Sequence, residues 1–300
     1  CDIMGLPSSA NAILLSAVLL ARKPLITVPD LAAYSKTSFS HEPDTFRELV
    51  DLWERKKLVR VRRYGRTAAT LYCGLAWIGP HVLYDFDTNR QWQMVARVGR
   101  AMQHTRRVLA GNELLRDAIP WTFWGRHPAT LENVATSSPL PSFAERRTRV
   151  LFLGTWENDV QYRAQWSKLC DEFACGKARK YSQRQYLERL KNARFGISLR
   201  GFGPKCNREI EYLALGVVPV VPPEVDMENY AEPLVENTHF LRADNVDDAR
   251  RQIEECDEED RWTAMSKACR AWWERNASSE GALATTLKTI APDDAAASQV

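Results

Sequence analysis

No stretch of the 300 residues reaches the roughly 18 consecutive apolar positions of a membrane-spanning helix. The apolar run 11–21 (NAILLSAVLLA) is too short to span and has no basic segment ahead of it. It reads as a buried helix rather than a signal peptide. The chain begins at Cys1 rather than Met, which leaves room for a trimmed targeting segment. Gly-x-x-x-x-Gly-Lys-Ser/Thr is absent, which argues against a P-loop nucleotidase. The Gly201-x-Gly203 pair lacks a third glycine at position 206, which is Cys, so the dinucleotide fingerprint is also weak. The five histidines (41, 81, 104, 127 and 239) show no metal-ligand spacing. The seven cysteines (1, 73, 170, 175, 206, 256 and 269) are odd in number and scattered, unlike a disulfide framework. Cys170 and Cys175 are close but match no common zinc pattern. The expectation is buried thiols in a soluble protein of a reducing, cytoplasmic compartment. A net charge of +3 gives no global field that demands a polyanionic partner, and no internal repeat is evident.

What is present is ordinary globular material, 45% hydrophobic and 26% charged, enough for a large core or two. Apolar periodicity predicts helices at 8–22, 43–56 and 90–103, with strands at 25–28, 58–63, 69–73, 81–86, 107–110 and 121–124. The Ser/Pro-rich break 135–141 (ATSSPLP) suggests a domain boundary. Beyond it the rhythm restarts. Strand 150–153 ends in Gly154-Thr155, helices follow at 159–173 and 182–193, and strand 195–199 leads to Arg200. Helix 207–215 is stopped by Gly216, and strand 217–221 ends in Pro222-Pro223. This βαβα alternation predicts an α/β fold of two Rossmann-like domains facing across a cleft, 1–140 and 147–290.

The segment 195–222 (FGISLRGFGPKCNREIEYLALGVVPVVP) carries the chemistry. A buried strand delivers Arg200 to the sheet edge, and Gly201 and Gly203 let backbone approach a ligand. Lys205 and Arg208 enter a helix whose free N–H groups and dipole favour an anion. Arg208 and Glu211, three apart, share a helix face. A cation for a diphosphate and a carboxylate for the ribose 2′- and 3′-hydroxyls suit a nucleoside diphosphate.

Gly203-Pro204, Arg208-x-x-Glu211 and Ala214-Leu215-Gly216-Val217-Val218-Pro219-Val220-Val221 together resemble the C-terminal motif of exostosin-like glycosyltransferases, which have the GT-B fold. The resemblance covers about 147–275, with its specific part at 195–222. It implies that Arg208 meets the donor diphosphate, that Glu211 meets the ribose, and that Gly154 and Thr155 lie beside the sugar phosphates. It further implies a nucleotide-sugar co-substrate, by family expectation a UDP-sugar, with no permanently bound cofactor.

Sugar transfer needs a stabilised leaving diphosphate, for which Arg200, Lys205 and Arg208 are the fixed cations. Asp85-Phe86-Asp87 has the spelling of a metal-holding Asp-x-Asp motif, but it lies in the first half, so a metal is not expected. Transfer with inversion needs a base for the acceptor hydroxyl, and the GT-B resemblance implies that it comes from a first-domain strand end. Asp87 is preferred, then Glu113, with Asp30, His41 and His127 as further candidates.

Seven basic residues against one acid crowd 54–66. Arg60, Arg62 and Arg63 belong either to a solvated hairpin or to a surface for a phosphate backbone. The order of elements over 8–73 also resembles a winged helix, which would suit a transferase acting on hydroxymethylated DNA bases. The acceptor is therefore a glycan or a modified base. Two other readings stand beside it: a non-catalytic DNA-binding regulator with a nucleotide-sensing domain, and a nucleotide-sugar epimerase on the same fold.

Overall fold

A computed structural model describes residues 25–29, 45–58, 60–64, 81–84, 105–109, 120–154, 164–201 and 204–290. The chain divides into two compact units, 1–122 with 283–300, and 123–282. The described residues form eight α-helices, a five-stranded parallel sheet and two parallel strand pairs, an α/β protein. No helix among the described residues is long and apolar enough to cross a membrane.

In the first unit, β1 (Leu25–Pro29), α1 (Thr45–Arg55) and β2 (Arg60–Tyr64) make a parallel βαβ unit, with Leu25 opposite Arg60 and Pro29 opposite Tyr64. α1 buries Leu49, Leu52 and Trp53, which recur at helical spacing. It ends at Lys57, whose φ of 59° turns the chain out of the helix. A winged helix over 8–73 would carry an antiparallel hairpin, whereas the partner of β2 here is parallel β1. The expected second hairpin strand, 69–73, and the helices at 8–22 and 90–103 lie outside the described residues. β3 (His81–Tyr84) pairs in parallel with β4 (Thr105–Leu109). Residues 121–124 are buried and make a single β-bridge, at Trp121, rather than the expected strand. The Trp121 indole donates to the Thr286 hydroxyl at 2.9 Å, a bond within the first unit.

The second unit opens with α2 (Pro128–Thr136), which the sequence reading missed. Its start is marked by a proline in the first turn, where the missing N–H costs nothing. α2 packs on two helices of the second unit, described next, so the division between units falls at 122/123, ahead of the break at 135–141. β5 (Thr148–Leu153) is followed by α3 (Leu169–Glu172), β6 (Ala174–Gly176), α4 (Gln183–Lys191), β7 (Ala193–Ile197), α5 (Asn207–Ala214), β8 (Val218–Val221) and β9 (Leu241–Arg242). Then come α6 (Val246–Cys256), α7 (Glu259–Asn276) and α8 (Ser279–Ile290), the last running across the division at 282/283. The partners of α2 are α4 and α5.

The five strands lie in the order β6-β5-β7-β8-β9, all parallel. In chain order that is 2-1-3-4-5, a doubly wound sheet whose connections reverse direction between β5 and β7. Val150, Phe152, Phe195, Ile197, Val218 and Val220 pack one face against Trp166, Leu169, α6 and the start of α7. On the β7 strand, a Cβ on Gly196 would stand 2.4 Å from the Tyr212 ring of α5, so a glycine is what lets that ring lie flat on the sheet. The Tyr212 hydroxyl then donates to the Ile197 carbonyl at 3.0 Å. Pro219 sits inside β8, where a lost N–H would ordinarily break a ladder. It is tolerated because β9 is two residues long and its pairing begins only at Val220.

α5 ends at Gly216, φ 61°, as its sequence signal predicts. Its last carbonyls are claimed by cations. Arg146 donates to Leu215 O at 2.8 Å and Arg270 to Ala214 O at 2.7 Å. The helix expected at 159–173 is, in its described part, a single 3₁₀ turn at 164–166 and the short α3. Cys170 and Cys175 form a disulfide that ties α3 to β6, with Cα atoms 5.3 Å apart. This corrects the reading of Cys170 and Cys175 as buried thiols: both are disulfide-bonded and exposed. The pair was judged against zinc spacing, whereas a turn of four intervening residues brings the two side chains together. Cys206, Cys256 and Cys269 are thiols.

Candidate functional site

Ligands of doubly wound sheets bind beyond the carboxyl ends of the strands, where the connections reverse. Here that point lies between β5 and β7. β5 is followed directly by Gly154, β7 runs out through Ser198 and Leu199 to Arg200, and the positive end of α5 returns to the same edge.

Gly154 and Arg208 are brought together. A Cβ on Gly154 would stand 2.7 Å from Arg208 Nη2 and 2.7 Å from Phe152 Cζ. The Arg208 guanidinium lies over the Phe152 ring, 4.9 Å from its centroid. Its Nη1 is shielded from solvent and has no hydrogen-bond partner. Arg200, half-buried at the end of the neighbouring strand, has a shielded Nε without a partner as well. A shielded N–H without an acceptor costs about 1–3 kcal/mol, and guanidinium groups carry rigidly placed donors. Both cations stand at the switch-point edge, each with a shielded N–H that an anion's oxygens can accept from.

Glu211 lies one turn after Arg208 on α5 and is only 3% exposed. Its Oε1 accepts from the Arg126 backbone N–H at 3.2 Å and from Gln183 Nε2 at 3.4 Å. Its Oε2 accepts from the Tyr186 hydroxyl at 2.9 Å. Burial pushes this carboxyl above the usual carboxylate range, opposed by the Tyr186 and Arg126 hydrogen bonds and by the charges of Arg208 and Arg126. Burial also raises the Tyr186 phenol well above its ordinary value.

Lys205 points elsewhere. It is wholly buried, donates to Asn229 O at 2.5 Å, and lies 4.2 Å from the centroid of the Tyr230 ring. The start of α5 is instead organised by Glu209, which is also wholly buried. Its carboxyl accepts from the Cys206 N–H, as in a capping box, and from the Ser198 hydroxyl just beyond β7. Burial pushes its pKa up to about 7 despite Ser198, the Arg208 charge and the Cys206 N–H. Asn207 Nδ2 donates to Trp124 O at 2.8 Å and so ties the helix start to the segment before α2.

Of the remaining expected residues, Thr155, Gly203, Asp87 and Glu113 lie outside the described residues. Arg60, Arg62 and Arg63 lie on β2, paired through the backbone with β1. Phe152, Gln183, Tyr186, Ser198 and Glu209 were not singled out from sequence. Ser182-x-x-Gln185, a capping box opening α4, was the available signal for the placement of Gln183 and Tyr186. Among the described residues no group of three His, Cys, Asp or Glu side chains could hold a metal ion.

Compared with known protein families the chain matches none, and no curated protein sequence matches it.

Proposed function

We propose that this protein is a glycosyltransferase that takes a sugar from a nucleoside-diphosphate donor, with the donor diphosphate against Arg208 and Arg200. The observation that carries the reading is the Arg208 guanidinium, braced on Phe152 beside Gly154 at the switch point with Nη1 unpaired. The buried carboxylate of Glu211 one turn on supplies the acceptor for ribose hydroxyls.

In the reaction the acceptor oxygen attacks the anomeric carbon, the bond from that carbon to the diphosphate oxygen breaks, and the acceptor proton passes to a base. Fixed cations in a dry site stabilise the charge that develops on the departing diphosphate. Arg208 and Arg200 fill that role, and Asp87 or Glu113 in the first unit supplies the base. On this reading the chain has the GT-B arrangement of two Rossmann-like domains, with a UDP-sugar as donor and a glycan or a hydroxymethylated DNA base as acceptor.

The test is release of nucleoside diphosphate from UDP-glucose, UDP-N-acetylglucosamine and GDP-mannose, with and without a panel of glycans and hydroxymethylated DNA. Acceptor-dependent release accompanied by a sugar-bearing product supports transfer. Conversion of the donor sugar without an acceptor would indicate an epimerase. DNA binding with no turnover of any donor would indicate the regulator.

A further inference from the structure

The hydrogen-bond geometry around Glu211 goes further than the choice of a carboxylate. An ionised carboxylate has about four lone-pair positions. Three are filled from within the chain, two on Oε1 by the Arg126 N–H and Gln183, and one on Oε2 by Tyr186. All three partners are donors, as the ionised form requires. The remaining position is on Oε2.

The donors are held from separate elements. Tyr186 and Gln183 are carried by α4, which is fixed at its start by the Ser182–Gln185 capping box. The Arg126 peptide comes from the segment before α2 and closes on Glu211 because residue 125 is a glycine. A Cβ there would stand 2.4 Å from Leu131 Cδ2 and 3.3 Å from Glu211 Cγ. The carboxylate therefore has little freedom to turn a second lone pair outward.

We infer that Tyr186 is a positioning and specificity-determining residue: by occupying one side of Glu211 Oε2 it leaves the carboxylate a single acceptor site, so Glu211 reads one ribose hydroxyl of the donor and not both. This rests on the donor-site reading and narrows it. The Tyr186 hydroxyl itself stays on the carboxylate and need not touch the nucleotide.

The test is calorimetric titration with UDP, GDP and ADP, and with the 2′-deoxy and 3′-deoxy forms of whichever binds. The wild-type protein is expected to lose about tenfold or more in affinity for one deoxy form, the cost of a hydrogen bond to a charged group. The other deoxy form should stay within about twofold of the parent. In Tyr186→Phe a second lone pair opens on Oε2, and the two deoxy forms should converge to within about twofold of each other. If that variant does not fold, Gln183→Ala opens a position on Oε1 and is expected to narrow the difference in the same direction. Equal losses for both deoxy forms in the wild type, or an unchanged pattern in the folded variant, would overturn the inference alone. Failure of the folded wild type to bind any of the three diphosphates would overturn the donor-site reading with it.

Discussion

The Arg208 guanidinium occupies the space a side chain at position 154 would fill, with Nη2 2.7 Å from the Cβ that Gly154 lacks. The glycine at the end of β5 and the arginine in the first turn of α5 thus make one feature of the fold. Gly154→Ala is expected to push the guanidinium off Phe152 and weaken nucleoside-diphosphate binding by about tenfold or more, in line with loss of a charged hydrogen bond. Unfolding in denaturant should shift as well, because the same Cβ would stand 2.7 Å from Cζ of the fully buried Phe152 ring. Titration and denaturation of the same variant separate the two effects.

Arg208→Lys provides a complementary test. A lysine keeps the charge but loses the planar donors and the stacking on Phe152. Binding should fall nearly as far as in Arg208→Ala if geometry matters, and should be largely retained if charge alone does. Measurement at two salt concentrations checks the remaining Coulombic part.

Glu209 predicts a pH dependence. Its folded pKa, pushed up to about 7, lies above the ordinary value of 4.5. The folded state therefore binds the proton more tightly than the unfolded chain. Its contribution to stability is complete below about pH 4.5 and is lost as the pH rises through about 7. The slope across that window is at most about 1.4 kcal/mol per pH unit. Glu209→Gln should flatten the stability profile between those limits, as read from urea unfolding at a series of pH values.

Arg146 is a structural counterpart to Arg208. It is 3% exposed, donates to Ala193 O at 2.6 Å and to Leu215 O at 2.8 Å, and lies 4.9 Å from the centroid of the Trp262 ring. Burial lowers its pKa to about 10, so it remains a cation at neutral pH. Arg146→Met removes the donors to Leu215 O at the end of α5 and to Ala193 O at the start of β7, and should destabilise the second unit by roughly 3 kcal/mol. Denaturant unfolding monitored by tryptophan fluorescence is the direct measurement.

The Cys170–Cys175 disulfide closes a short loop beside the edge strand β6, and both residues are exposed. Reduction should cost about 2 kcal/mol by the chain-entropy model. The loss should appear first as faster hydrogen exchange of the Gly154 amide, which donates to Gly176 O of β6 at 2.9 Å. Amide exchange with and without dithiothreitol checks it.

The architecture of the second unit was legible where local chemistry and packing agree. Gly216 ended α5, Ser182 opened α4, and the apolar runs around Phe195 and Val220 became interior strands. β6 and β9 were not, because strands of three and two residues carry no periodicity. α2 was hidden by reading the Ser/Pro-rich stretch after it as a boundary. At the site, Arg208, Glu211 and Gly154 were nameable from spacing and resemblance. Lys205 looked equivalent to Arg208 in sequence, yet its burial against Tyr230 is a tertiary outcome. The donors to Glu211 come from residues 25 or more positions away, and no local pattern announces such a meeting.

The measurement that bears most directly on the central claim is calorimetric titration of the wild type and Arg208→Ala with UDP, GDP and ADP. The wild type is expected to bind one diphosphate selectively, and the variant to lose at least about tenfold in affinity with folding intact. Binding that is unaffected by Arg208→Ala, or no binding of any diphosphate by the folded wild type, would contradict it.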